Sequence, residues 1–199
     1  MKGKNVAILL GVFLVPPLSA EEGMWTLDNF PRQAIESTYD IRLTGDWLKR
    51  LQLATVRLEG GCTGSFVSPQ GLILTNHHCV RRCISQLSTA QKNIETQGFY
   101  ATEHSQEQPC QEEQISVLLN IQNITEQVSA AVQNKQGKEA DKIRKETLIR
   151  LEQVCQETSK DSLFCESVSM YDGRQHFLYK YKRYRDVRLV FAPETGIAA

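Results

Sequence analysis

The stretch GCTGSFVSPQGLILTNHHCV, residues 61–80, restricts the fold more than any other part of the chain. Apolar and β-branched residues flank Ser68-Pro69-Gln70-Gly71. They predict a hairpin with one strand over Cys62 to Val67 and a second over Leu72 to Thr75. Proline at the second position of the four-residue turn and glycine at its fourth suit a type I connection. His77 and His78 then fall just past a strand end, where side chains meet solvent. Cys62 and Cys79 stand at opposite ends of the same hairpin.

The chain begins MKGKNVAILLGVFLVPPLSA, with Lys2 and Lys4 ahead of an apolar run from Val6 to Val15 and small residues at Ser19 and Ala20. That order predicts a secretory signal peptide over residues 1–20, cleaved after Ala20. The run is too short for a permanent span, which needs roughly 20 apolar residues. Residues 21–199 are therefore expected in the periplasm or cell envelope, free of the membrane once the leader is cut. In an oxidising compartment the even count of six cysteines predicts disulfides. No Cys-x-x-Cys pair occurs, and His77 and His78 abut Cys79 instead of standing at ligand spacing, so no metal site is expected.

Charge excludes one class of partner. With 23 basic and 23 acidic residues the net charge is zero, which leaves no electrostatic footprint for nucleic acid. Basic residues do alternate with aromatics over 177–188. Period-two patterning accounts for that, with Phe177, Tyr179 and Tyr181 on one strand face and solvated cations on the other.

Elsewhere the pattern divides the chain into blocks. Residues up to about Tyr100 read as short apolar runs broken by glycine and proline, and 101–114 as a polar loop. Val117, Leu119 and Ile121 alternate, predicting a strand over 115–123. A helical insertion is expected at about 125–159, broken near Asn134 to Gly137. Its face carries Ile143, Thr147, Leu151, Val154 and Cys155. Asn123-Ile124-Thr125 matches a glycosylation sequon, but Thr125 as a helix cap is the simpler reading. After Cys165, strand residues flank Asp172-Gly173 and predict a second hairpin.

A histidine acting as general base needs exposure, an orienting carboxylate and a nucleophile in reach. The hairpin by itself offers only exposure. Gly61-Cys62-Thr63-Gly64-Ser65 followed by Leu74-Thr75-Asn76-His77-His78-Cys79 nevertheless resembles the chymotrypsin-type serine peptidases, whose base histidine ends a Thr-x-x-His-Cys run. With Glu22-Gly23-Met24-Trp25 and LYKYKRYRDVRLVFAPE at 178–194, the chain is similar to the bacterial exported dipeptidyl-peptidases of the dipeptidyl-peptidase 7 and 11 group.

The resemblance implies a mainly β fold with inserted helices, the first β-barrel half of a chymotrypsin-like double-barrel peptidase. It makes His78 the general base, because His78 is the histidine that abuts Cys79, and it pairs Cys79 with Cys62. Nine residues separate Cys155 from Cys165, which suits a second bridge and would then leave Cys83 with Cys110, but six cysteines allow fifteen pairings and the sequence leaves the pairing of these four open. The implied function is release of dipeptides from free peptide amino termini, with a peptide as substrate, no cofactor and a possible homodimer of the full-length enzyme. Ser65 lies on a first-barrel strand, whereas the family's nucleophile comes from the second barrel. Asp186 imitates the orienting aspartate, which the family places further on. Residues 21–199 are thus expected to be the amino-terminal part of a longer catalytic domain, inactive alone. A non-catalytic exported binding or adaptor module that kept the hairpin is the alternative.

Overall fold

The computed structural model describes residues 25–157 and 162–198, so the leader expected at 1–20 lies outside the described residues. Two helices come first, α1 (Arg32–Tyr39) and α2 (Gly45–Ala54). Thr44 opens α2, its hydroxyl accepting the Trp47 N–H at 3.1 Å and satisfying one donor that a helix start leaves unpaired. Neither helix contains a buried residue. Trp47, Leu48 and Leu51 do stand at helical spacing in α2, and a reading of this region as broken apolar runs overlooks both helices.

The strands β1 (Thr55–Leu58), β2 (Thr63–Phe66) and β3 (Ile73–Thr75) follow. Next come α3 (Arg81–Leu87), α4 (Ile94–Gln97) and two short strands, β4 (Phe99–Tyr100) and β5 (Gln108–Pro109). The long strand β6 (Ile115–Asn123) leads into α5 (Thr125–Ala131) and α6 (Gly137–Glu157). A second hairpin, β7 (Leu163–Met170) and β8 (Gln175–Tyr184), precedes β9 (Arg188–Leu189), β10 (Phe191–Ala192) and α7 (Thr195–Ala198). Among the described residues no helix is long and apolar enough to cross a membrane.

Six strands form one antiparallel sheet in the order β3-β2-β1-β6-β8-β7. The fold is thus mainly β with inserted helices. Residues expected to continue the second hairpin beyond Tyr184 instead leave the sheet. Arg188–Leu189 pairs with β5 and Phe191–Ala192 with β4, giving two small ribbons, one of which runs through the segment expected as a plain loop.

Three apolar clusters hold these parts. Val56, Leu58, Ile115 and Val117 pack at the centre of the sheet, with Cys62, Phe66, Ile73 and Cys79 against them. Cys83, Ile84, Ile94, Cys110, Leu189 and Ala192 join α3 and α4 to the ribbons. Ile124, Val128, Cys165 and Leu178 form the third, covered by Leu148, Leu151 and Cys155 of α6. Val154 falls at the rim of the buried helical stripe and is half exposed. Because α5 and α6 cover this part of the sheet, both faces of β8 are packed: Phe177 and Tyr181 on one side, His176 and Leu178 on the other. The expected solvated face of that strand is therefore corrected for its first half.

A register shift in β6 between Leu118 and Asn120 interrupts its pairing with β8. Lys49 donates to the Leu119 carbonyl at 2.6 Å and Gln52 to the Leu118 carbonyl at 2.7 Å. These two side chains of α2 supply partners for the carbonyls that the irregularity leaves free of regular pairing.

Candidate active site

The hairpin of β2 and β3 is set by short-range chemistry. Gly64 faces Thr75, Ser65 faces Leu74 and Phe66 faces Ile73. At the turn, Gly71 donates to the Ser68 carbonyl at 3.3 Å and Leu72 donates to the Ser68 hydroxyl at 3.1 Å. Gly71 has φ +94°, a backbone conformation that favours glycine.

The open end is drawn together more tightly. Thr75 Oγ1 donates to the Thr63 carbonyl at 2.8 Å. A Cβ on Gly64 would lie 2.8 Å from the Leu74 carbonyl oxygen and 2.9 Å from Ile73 Cγ2. Only glycine lets β3 approach this closely, a role that an isolated glycine inside a strand can signal in sequence.

Past β3 the chain makes a single 3₁₀ turn, His77–Val80, closed by the Cys79 N–H donating to the Asn76 carbonyl at 3.0 Å. Cys79 is bonded to Cys62 across the hairpin, with Cα atoms 5.9 Å apart. Closing a loop of 17 residues stabilises by about 3 kcal/mol through the unfolded chain. Both cysteines also rest on the central cluster of the sheet; with Cys79 held after His78 and Thr75 tied to Thr63 before it, the backbone on either side of His78 is anchored. The other bonded pairs are Cys83 with Cys110 and Cys155 with Cys165, and no cysteine is free.

The two histidines differ in environment. His78 is exposed, and among the described residues it has no hydrogen-bond or ion-pair partner. His77 is half-buried, and its Nε2 is shut away from solvent without a partner among the described residues. One imidazole is thus presented outward and the other is folded inward.

Ser65 and Asp186 are not brought to His78. Ser65 sits mid-strand, its hydroxyl directed to the Phe66 carbonyl at 3.4 Å. Asp186 is clamped by Arg188, with Nε and a terminal guanidinium nitrogen each donating at 2.9 Å. That bidentate hydrogen bond holds its carboxyl below the usual carboxylate range.

The hairpin thus presents one exposed histidine beside a cross-hairpin disulfide. The sequence profile of Peptidase S46 matches residues 20–199, and the chain belongs to that family. It is 29% identical to Dipeptidyl-peptidase 7 of Capnocytophaga gingivalis over 96% of this chain and 28% of that protein. The Asp/Glu-specific dipeptidyl-peptidase of Porphyromonas gingivalis is 30% identical, over 96% of this chain and 28% of its own length. The crystal structure of Porphyromonas endodontalis DPP11 in complex with the dipeptide Arg-Glu aligns at a TM-score of 0.74 with 26% identity, over 87% of this chain and 26% of that one. The same protein in complex with substrate aligns at 0.75 with 25% identity, over 89% and 28%. The chain therefore spans just over a quarter of the length of the curated relatives it matches.

Proposed function

We propose that this chain is the base-bearing amino-terminal part of a serine dipeptidyl-peptidase that releases dipeptides from free peptide amino termini. The observation that carries the reading is the mounting of His78. Of the two neighbouring histidines it is the exposed one, and it stands on a turn fixed by the Cys62–Cys79 bond in a Peptidase S46 chain. A general base must reach substrate without altering its own geometry, and anchoring on both sides of the residue provides that.

In this reading His78 takes the proton of a serine hydroxyl as the oxygen attacks the scissile carbonyl. It then returns the proton to the departing amine, so that an acyl-enzyme forms and is hydrolysed. Ser65 and Asp186 are otherwise engaged. The nucleophile and the orienting carboxylate are assigned to the portion of the protein outside these 199 residues. The relatives include both dipeptidyl-peptidase 7 and Asp/Glu-specific enzymes at similar identity, so this segment supports the shared chemistry and not the choice of side chain. Three disulfides and the leader-like residues 1–20 support a periplasmic or cell-envelope location.

The test is hydrolysis of a dipeptidyl reporter by the complete protein. Release is expected with a free amino terminus and not with an acetylated one, and it should be blocked by a serine-directed fluorophosphonate. Equal cleavage of the acetylated reporter would refute the dipeptidyl-peptidase reading, and the absence of any hydrolysis would favour a binding module.

A further inference from the structure

Three metal-ligand atoms meet at the end of the first hairpin. Sγ of Cys62, Sγ of Cys79 and a ring nitrogen of His78 all lie within 4.8 Å of one another. While the two sulfurs are bonded to each other they have no thiolate charge to offer, and the trio is not a metal site. Reduction changes the donor set with little movement of the backbone. Two thiolates and an imidazole are a Cys2His set, which takes zinc tetrahedrally and leaves the fourth position open. The sulfurs need only separate to roughly 3.8 Å, the edge of a tetrahedron with Zn–S bonds of about 2.3 Å. His78 is free to turn toward the ion because no other described residue holds its ring.

We propose that the Cys62–Cys79 bond is a redox-gated zinc site: a dithiol reductant opens it, and the zinc ion that then binds captures His78. The exchange is balanced. The disulfide accepts two electrons and two protons from a dithiol, which leaves as its own disulfide, and Zn²⁺ then displaces a proton from each cysteine thiol.

Accessibility selects this bridge from the three. Thiol attack requires access to a sulfur: both partners of the second bridge are buried, Cys83 at 2% and Cys110 at 4% exposure, and the third bridge joins a partly exposed Cys155 to a Cys165 at 7%. Cys62 and Cys79 are both partly exposed. A mild dithiol therefore reaches the bridge beside His78 first. The loss of turnover that follows rests on His78 being the general base, whereas binding of the metal does not.

The experiment uses the 199-residue chain, reduced briefly with dithiothreitol, desalted without oxygen and titrated with Co²⁺. Alkylation mapping is expected to place new thiols at Cys62 and Cys79 ahead of the other four cysteines. Cobalt should then give thiolate-to-metal charge-transfer absorption and the intense visible bands of tetrahedral coordination, both absent before reduction. His78→Ala, which leaves the cysteines in place, should weaken cobalt binding by about 100-fold or more, beyond what outer-shell substitutions cost. Cys62→Ser should abolish the charge-transfer band. Thiols appearing first at Cys83 and Cys110, no band after reduction, or an undiminished affinity in His78→Ala would each overturn the site. In the complete protein, Zn²⁺ is expected to stop dipeptide release only after reduction. A cobalt site that forms while His78→Ala retains full hydrolysis would uphold the metal site and remove the general-base reading.

Discussion

Thr125 and His176, 51 residues apart, hold each other by two hydrogen bonds: the His176 N–H donates to Thr125 Oγ1 at 3.0 Å, and the Thr125 hydroxyl donates to the His176 carbonyl at 3.3 Å. The expectation that Thr125 caps its own helix is thereby corrected. Ile124 stands at the cap position with no side-chain cap; one residue earlier the Asn123 side-chain oxygen accepts the Thr125 N–H at 2.9 Å, while the threonine hydroxyl ties the start of α5 to β8. Ile124, buried between them, completes the joint.

Replacing Thr125 by valine keeps its volume and removes both hydrogen bonds; the His176 carbonyl still accepts the Ile124 N–H at 2.9 Å, but the His176 N–H loses its threonine acceptor in a partly buried place. The expected loss is about 1–3 kcal/mol, read as a lower melting temperature of the 199-residue chain. Thr125→Ser should retain most of the stability. Equal melting of the valine variant and the native chain would show that the joint contributes nothing.

The side chain of His176 makes this joint sensitive to acid. It is 3% exposed, with Nδ1 2.8 Å from the Ser169 hydroxyl. Burial, helped by the Arg144 charge, holds its pKa below the ordinary 6.5. The unfolded chain therefore binds this proton at a higher pH than the folded one, and the slope of stability against pH is positive in that window. Stability should decline as pH falls below about 6.5. His176→Gln, which can still accept from Ser169, should flatten that decline in denaturant titrations at a series of pH values. An unchanged slope in the glutamine variant would assign the acid sensitivity elsewhere.

The parts legible in sequence were those fixed by local chemistry. Pro69 and Gly71 locate the first turn, Gly137 the break before α6, and the alternation of Val117, Leu119 and Ile121 locates β6. The features that stayed hidden depend on contacts distant in sequence. Nothing in Phe191 or Tyr100 announces that their strands pair, and α2 shows its purpose only when Lys49 and Gln52 meet the carbonyls of β6. At the candidate site, His78 was singled out by the family resemblance around Cys79, while its exposure and the Cys62–Cys79 bond are what the structure adds. The inward Nε2 of His77 and the tight contact at Gly64 emerge only from the packed hairpin.

That contact carries a third prediction. Gly64→Ala would place a methyl 2.8 Å from the Leu74 carbonyl, a backbone atom that cannot move aside like a flexible side chain. Overpacking of this kind costs about 1–3 kcal/mol. The chain should melt lower, and in the complete protein, under the general-base proposal, the displaced β3 should reduce turnover, because His78 stands three residues past its end. Ser65→Ala, one position along on the exposed side, should change neither. A Gly64→Ala protein with native melting and native turnover would mean that the hairpin does not position the histidine.

The fourth prediction separates His77 from His78. Under the general-base proposal, His78→Ala in the complete protein should reduce dipeptide release by about 10⁴-fold or more, since base and nucleophile act as a unit, while its melting temperature stays near native because the side chain is exposed. His77→Leu should behave in the opposite way. Its Nε2 is buried without a partner among the described residues, so an apolar replacement removes a desolvated polar atom at little cost in packing. Melting should be equal or higher, and turnover should stay within about tenfold of native, since a side chain directed inward acts only through the local packing. Both properties are to be measured on the same preparations, with melting followed in the absence of reductant so that the Cys62–Cys79 bond is kept. Comparable losses of turnover in the two variants would show that the hairpin and not the exposed imidazole sets the activity. Native turnover in His78→Ala would remove it as the base.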